Sequence, residues 1–139
     1  MGSFIYDSAK EKIADGTILL ESHTFKIMLV TTSHTPDKAN HDEKADVVAD
    51  ETSGTGYATG GVALDNVAVT RSGAVVKFDA DDKTINGLDA NWRYAIIYDD
   101  TVAGDPLVCL LDPGGAQTPG GDSIKLTFDS SGIFTLTDA

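Results

Sequence analysis

Trp92-Arg93-Tyr94-Ala95-Ile96-Ile97-Tyr98, Leu107-Val108-Cys109-Leu110-Leu111, Ser123-Ile124-Lys125-Leu126-Thr127-Phe128 and Ile133-Phe134-Thr135-Leu136-Thr137 follow one another with only turn clusters between them. Each run is short, rich in aromatic, β-branched or large aliphatic residues, and bounded by Gly, Pro, Asp or Ser, with no helical period in between. The carboxy-terminal third is therefore predicted to be β-sheet throughout. Trp92, Tyr94, Ile96 and Tyr98 fall on one face of the first run and Arg93, Ala95, Ile97 and Asp99 on the other, so the first face is expected to hold much of the aromatic burial. In the last two runs Ile124, Leu126 and Phe128 alternate inward. Asp129-Ser130-Ser131-Gly132 supplies a turn, and residues 133–137 are expected to return as the second arm of a hairpin.

Working outward, residues 24–31 set Phe25, Ile27 and Leu29 against Lys26, Met28 and Val30. Both faces are fairly apolar, which predicts an interior strand covered on both sides. Residues 62–70 read as a strand whose alternation slips at Asp65-Asn66, where a bulge or bend would reconcile the two halves. Residues 74–78 and 84–85 are two further strands. About eight short strands at hairpin spacing predict an all-β chain: a single β-sandwich or jelly-roll-like domain.

Two segments stand outside that pattern. Residues 6–16 read as a short amino-terminal helix, with Asp7 or Ser8 as N-cap, Glu11 completing a capping box with Ser8, and Gly16 as the stop. Ile5, Ala9 and Ile13 recur every four residues as a narrow apolar stripe, which suits a lid on a sheet or an arm. The expected organisation is an arm or helix over 1–16 and a β domain over 17–139. That domain carries a long polar loop at 33–61, in which 44–50 can make a helical turn or two. A loop of this length in a compact domain is expected to be functional or mobile. Deleting residues 2–13 is expected to leave the β domain folded.

The 139 residues, 41% hydrophobic and 23% charged, fit one domain with an ordinary core. No run of about 18 apolar residues suggests a membrane-spanning helix. The first residues have neither a basic stretch nor an apolar run of signal-peptide length, so Sec export is not expected. Twenty-two acids against ten bases give a net charge of −12, which argues against nucleic acid or an anionic membrane as partner, because each neutralised phosphate needs a Lys or Arg. Cys109, the single cysteine, sits in an apolar run and is expected to be an inert buried side chain.

Groups capable of chemistry are sparse. His23, His34 and His41 have no partners at metal-ligand spacing. The acids at Asp42-Glu43, at Asp79, Asp81 and Asp82, and at Asp99-Asp100 lack a calcium-loop pattern and belong to turns, where Asp usually satisfies backbone amides. The glycines of Ser53-Gly54-Thr55-Gly56-Tyr57-Ala58-Thr59-Gly60-Gly61 have no following Lys-Ser/Thr and suit a tight crossing where Tyr57 packs down, rather than a phosphate loop. No serine occupies a G-x-S-x-G elbow. The sequence thus predicts no enzyme, no metal and no cofactor.

Several phrases carry a resemblance: Phe4-Ile5-Tyr6-Asp7-Ser8-Ala9-Lys10-Glu11-Lys12-Ile13-Ala14-Asp15-Gly16, Thr24-Phe25-Lys26-Ile27-Met28-Leu29-Val30, Ser53-Gly54-Thr55-Gly56-Tyr57, Tyr94-Ala95-Ile96-Ile97-Tyr98-Asp99-Asp100 and Phe128-Asp129-Ser130-Ser131-Gly132-Ile133-Phe134-Thr135-Leu136-Thr137. In layout and in these phrases the chain resembles small virion structural proteins of tailed bacteriophages. The resemblance implies a place in the particle and no catalytic residue. The role expected from it is a capsid decoration or cement protein on the outer head surface, made in the host cytoplasm, with the major capsid protein as partner and a homo-oligomer, a trimer, as the assembled form. Phe4, Ile5, Tyr6, Lys10, Ile13, His34, His41 and Val47 are the expected contact residues. A tail, collar or fibre-associated adaptor is the alternative role. A carbohydrate-binding module is a third, from a different class.

Overall fold

Residues 25–30 are the centre of the molecule, as their two-sided apolar pattern requires. The computed structural model describes residues 2–137. The elements in chain order are β1 (Phe4–Ile5), α1 (Asp7–Ala14), β2 (Phe25–Val30), β3 (Val62–Ala63), β4 (Ala68–Ser72), β5 (Val75–Asp79), β6 (Lys83–Ile85), β7 (Tyr94–Asp99), β8 (Leu107–Leu111), β9 (Ile124–Leu126) and β10 (Phe134–Leu136), with two 3₁₀ turns at Lys44–Asp46 and Val48–Asp50. The main sheet runs β1-β8-β7-β2-β3, and all of its pairings are antiparallel. The fold is all-β, with ten strands where about eight were expected. The extra two arise because β1 was read as part of an arm, and because the 62–70 run breaks into β3 and β4 around Asn66, whose φ of 51° makes the expected bend.

Register fixes the two faces of the main sheet. Ile27 lies opposite Ile97 and Leu29 opposite Ala95, while Ile97 pairs with Cys109 and Ala95 with Leu111. Residues paired across strands share a face, so these form one apolar surface. It meets a second layer led by Phe78, whose ring lies edge-on to Phe25 at 5.4 Å and tilted against Phe134 at 5.0 Å. Burying Phe78 completely contributes about 2–3 kcal/mol. The opposite face, with Met28, Ile96 and Tyr98, is equally buried and lies under the 33–61 loop.

The second layer corrects the expected terminal hairpin. β9 and β10 do not pair with each other. β10 pairs with β5 (Phe78 opposite Phe134), and β9 pairs with β6 (Ile85 opposite Ile124). Residues 124–136 therefore run as one interrupted strand, antiparallel to 75–85, and 129–132 loops out of it without reversing the chain. The turn chemistry is real: Gly132 N donates to Asp129 O, and Ser131 N to Asp129 Oδ1, both at 2.8 Å. Ile133 N and Phe128 N then return to Phe78 O and Asp82 Oδ1 on the same neighbouring strand, so the local turn makes a bulge and not a hairpin.

The amino-terminal segment is built into the sheet. β1 pairs with β8, Tyr6 N donates to Val108 O at 3.1 Å, and Tyr6 and Ala9 are fully buried. A strand tied in this way is part of the β domain and not a detachable arm. The helix begins directly after that tether, with Tyr6 at the N-cap position and no side-chain cap. The expected box of Ser8 and Glu11 does not form. Asp7 turns instead to Lys10 and Lys38. A capping box does appear in the 33–61 loop, where Glu43 and Asp46 bond reciprocally to each other's backbone.

Candidate interaction surface

The polar 33–61 segment is ordered by a series of anchors. Val47 is fully buried within it. Backbone bonds join Leu107 N to Asp42 O at 2.9 Å, Lys44 N to Asp105 O at 3.0 Å and Thr52 N to Leu29 O at 2.9 Å. Tyr57 donates to Glu51 Oε2 at 2.7 Å and accepts from Leu29 N, while Tyr98 donates to Gly60 O at 2.5 Å. Burial raises the pKa of the Tyr57 and Tyr98 hydroxyls well above the ordinary phenol value, so both remain donors at any physiological pH. Gly61 completes the crossing. At φ 85°, a Cβ there would lie 2.0 Å from Ile27 O, so only glycine lets the loop pass so close to β2.

The helix and this loop meet. Asp7 N donates to Lys38 O at 3.1 Å, and two ion pairs, Lys38 with Asp7 and Lys12 with Asp42, span the join. The two segments expected separately to make contacts therefore form one continuous surface. Of the residues nominated, Lys10 is exposed beside Asp7, while Phe4, Ile5, Ile13 and His41 are half-buried. Tyr6 and Val47 are fully enclosed, and His34 is 4% exposed, so these three support the surface from beneath and offer no side chain to a partner.

His34 Nδ1 lies 3.0 Å from Asp50 Oδ2, and its ring sits 5.5 Å from that of His41. These contacts staple the start of the loop to its second 3₁₀ turn. Asp79, Asp81 and Asp82 are likewise spoken for, by Ala80 N, by Asn66 and by Phe128 N with Lys125. Among the described residues, no three His, Cys, Asp or Glu side chains converge as metal ligands. No helix there is long and apolar enough to cross a membrane.

One feature of this region had gone unrecognised in the sequence. Ile13 borders a shallow groove of about 400 Å³ with Leu19, Leu20, Val69, Val76 and Leu136. Leu19 is 47% exposed and Leu136 39%, and with Val69 and Val76 they border one contiguous apolar groove. The signal was Ile18-Leu19-Leu20, three apolar residues directly after the helix stop, too many for one side of a turn to bury.

Comparison of the chain with family models, curated proteins and solved structures finds no match.

Proposed function

We propose that this protein is a structural component of a tailed-phage virion that decorates the outer head surface and stabilises the shell by binding its assembled form. The observation that carries this proposal is the joining of α1 to the 33–61 loop into one surface, braced by Lys38–Asp7 and Lys12–Asp42. Most of its exposed side chains are charged or polar, Val48 being an exposed large hydrophobic among them, with the apolar groove of Leu19 and Leu136 beside Ile13 at one end. A polar surface with an apolar patch is the composition of a protein docking site. The charge of −12 favours a basic partner surface. A ligand that binds only the assembled lattice shifts the equilibrium toward it by mass action, with no chemistry required.

The major capsid protein is the partner in this proposal, and a trimer of the present chain is the docking unit. Quantitative protein gels of washed particles test it. A copy number comparable with that of the shell protein is the expected result. A handful of copies per particle would favour the tail or collar adaptor, and absence from the particle would overturn both.

A further inference from the structure

Among the described residues only Asn66 and Asp105 have positive φ without being glycine, both at 51°. Asn66 is followed by valine. Asp105 is followed by Pro106, whose ring directs the preceding residue to extended backbone, at a φ of about −120°. The fold thus holds Asp105 in a conformation that its own sequence opposes. Restraints surround it on every side. Asp105 N donates to Val102 O and Lys44 N to Asp105 O, both at 3.0 Å, while Asp99 N donates to Pro106 O and Leu107 N to Asp42 O, both at 2.9 Å.

The Asp105 side chain is half-buried, and its carboxyl has no hydrogen-bond or ion-pair partner among the described residues. It is free to turn on its own carbonyl carbon, with which it closes a five-membered ring, so the two reacting groups are never far apart. That carbonyl already accepts from Lys44 N, as a developing oxyanion would. A second Asp-Pro bond, Asp112-Pro113, lacks these features. Asp112 lies outside the positive-φ region, and its Oδ1 accepts from Arg93 at 2.6 Å and from Gly114 N at 2.8 Å, which keeps the carboxyl ionised and engaged.

We infer that the Asp105–Pro106 peptide bond is a self-cleavage site. The protonated Asp105 carboxyl attacks the Asp105 carbonyl carbon and forms an O–C bond; its proton passes to the Pro106 nitrogen as the C–N bond breaks. Water then opens the cyclic anhydride, leaving Asp105 as a new carboxy terminus and Pro106 as a new amino terminus, with nothing oxidised or reduced. The backbone strain at Asp105 is released with the bond. β8 begins directly after the cut and is paired on both sides, with β1 and β7, so the nicked chain stays assembled. The inference does not depend on the docking role.

The test is incubation of the intact protein in acidic buffer in which circular dichroism shows the fold to persist, followed by mass spectrometry. Fragments 1–105 and 106–139 should accumulate at least about tenfold faster than products of a cut at 112–113, and faster as pH falls. Size-exclusion elution should not change. In urea, which removes the restraints, the two Asp-Pro bonds should be cut at similar rates. Asp105→Asn keeps a residue tolerant of positive φ but has no carboxyl, and should lose the cut at 105–106. Asp112→Asn should keep it. No cut in the folded protein, equal rates at its two Asp-Pro bonds, or an undiminished rate in Asp105→Asn would each overturn the inference. Comparing the two bonds needs no variant, so it decides even if Asp105→Asn does not fold.

Discussion

His23 Nδ1 lies 2.6 Å from Asp99 Oδ2, and that carboxylate is completely enclosed at the end of β7. Its other oxygen accepts from Thr101 N at 2.9 Å, so both sides of the group are matched. An acid at this depth is tolerated because each of its oxygens has a hydrogen-bond partner. His23→Ala removes one and leaves a buried charge half-satisfied. The expected cost is about 3 kcal/mol in chemical denaturation. His23→Gln, which keeps a donor, should cost clearly less, and equal losses in the two variants would show that the pairing is immaterial.

The glycine-rich stretch makes a second prediction by contrast. Gly61 and Gly73 both have positive φ, 85° and 60°, but a Cβ at Gly61 meets Ile27 O at 2.0 Å, whereas at Gly73 nothing lies within 4 Å. Gly73→Ala should therefore cost only the conformational term, about 1–2 kcal/mol. Gly61→Ala must push the loop off β2, and a loss above about 4 kcal/mol or failure to fold is expected. Thermal melts of the two variants side by side distinguish the causes.

What the sequence made legible follows from how local each signal was. β2, β7 and β8 are interior strands, and their apolar runs are long enough to identify without knowing their neighbours. Cys109 and the bend at Asn66 were legible for the same reason. The fate of 129–132 was not, because Asp129-Ser130-Ser131-Gly132 forms the same local turn whether the chain reverses or continues. Only the pairing of 124–126 with β6 decides between them. The joining of α1 to the 33–61 loop was not legible, since Lys38 and Asp7 are thirty-one residues apart. Val47 and Tyr6 misled for a shared reason: each lies in a segment read as a contact surface, yet each is fully buried and holds its segment down.

Arg93 and Asp112 predict a pH dependence. The hydrogen bond from Arg93, at 2.6 Å, and another from Gly114 N hold the Asp112 carboxyl below its ordinary range. With the folded value depressed, the unfolded chain takes up the proton first as pH falls. The stabilisation is thus fully present above the ordinary Asp range, about pH 5 and higher, and is lost as pH falls through the folded value. Asp112→Asn should be less stable than the parent at neutral pH, and that difference should shrink on acidification. Denaturation curves between about pH 7 and pH 3 check the sign.

Cys109 faces the core at 2% exposure, and burial pushes its thiol up to about 12. Thiolate is the reactive form, so both access and ionisation oppose modification. At pH 8 the native protein should react with iodoacetamide only as fast as it opens globally. Urea should accelerate labelling in step with the unfolding transition. Rapid stoichiometric labelling of folded protein would mean that β8 is exposed by local opening.

The amino-terminal segment separates stability from docking. Removing residues 2–13 deletes β1, uncovers Val108 and Leu110 of β8, and takes Tyr6 and Ala9 out of the core. That truncation should unfold or aggregate, because losing a fully buried tyrosine alone costs about 3 kcal/mol or more. It cannot then report on binding. Lys10→Glu, by contrast, changes an exposed side chain whose one ion pair, to Asp7, contributes little. Its thermal midpoint should match the parent within a degree or two, while recovery of the variant with purified particles should fall. A stable Lys10→Glu protein that still joins particles at the parent level would move the contact off this face.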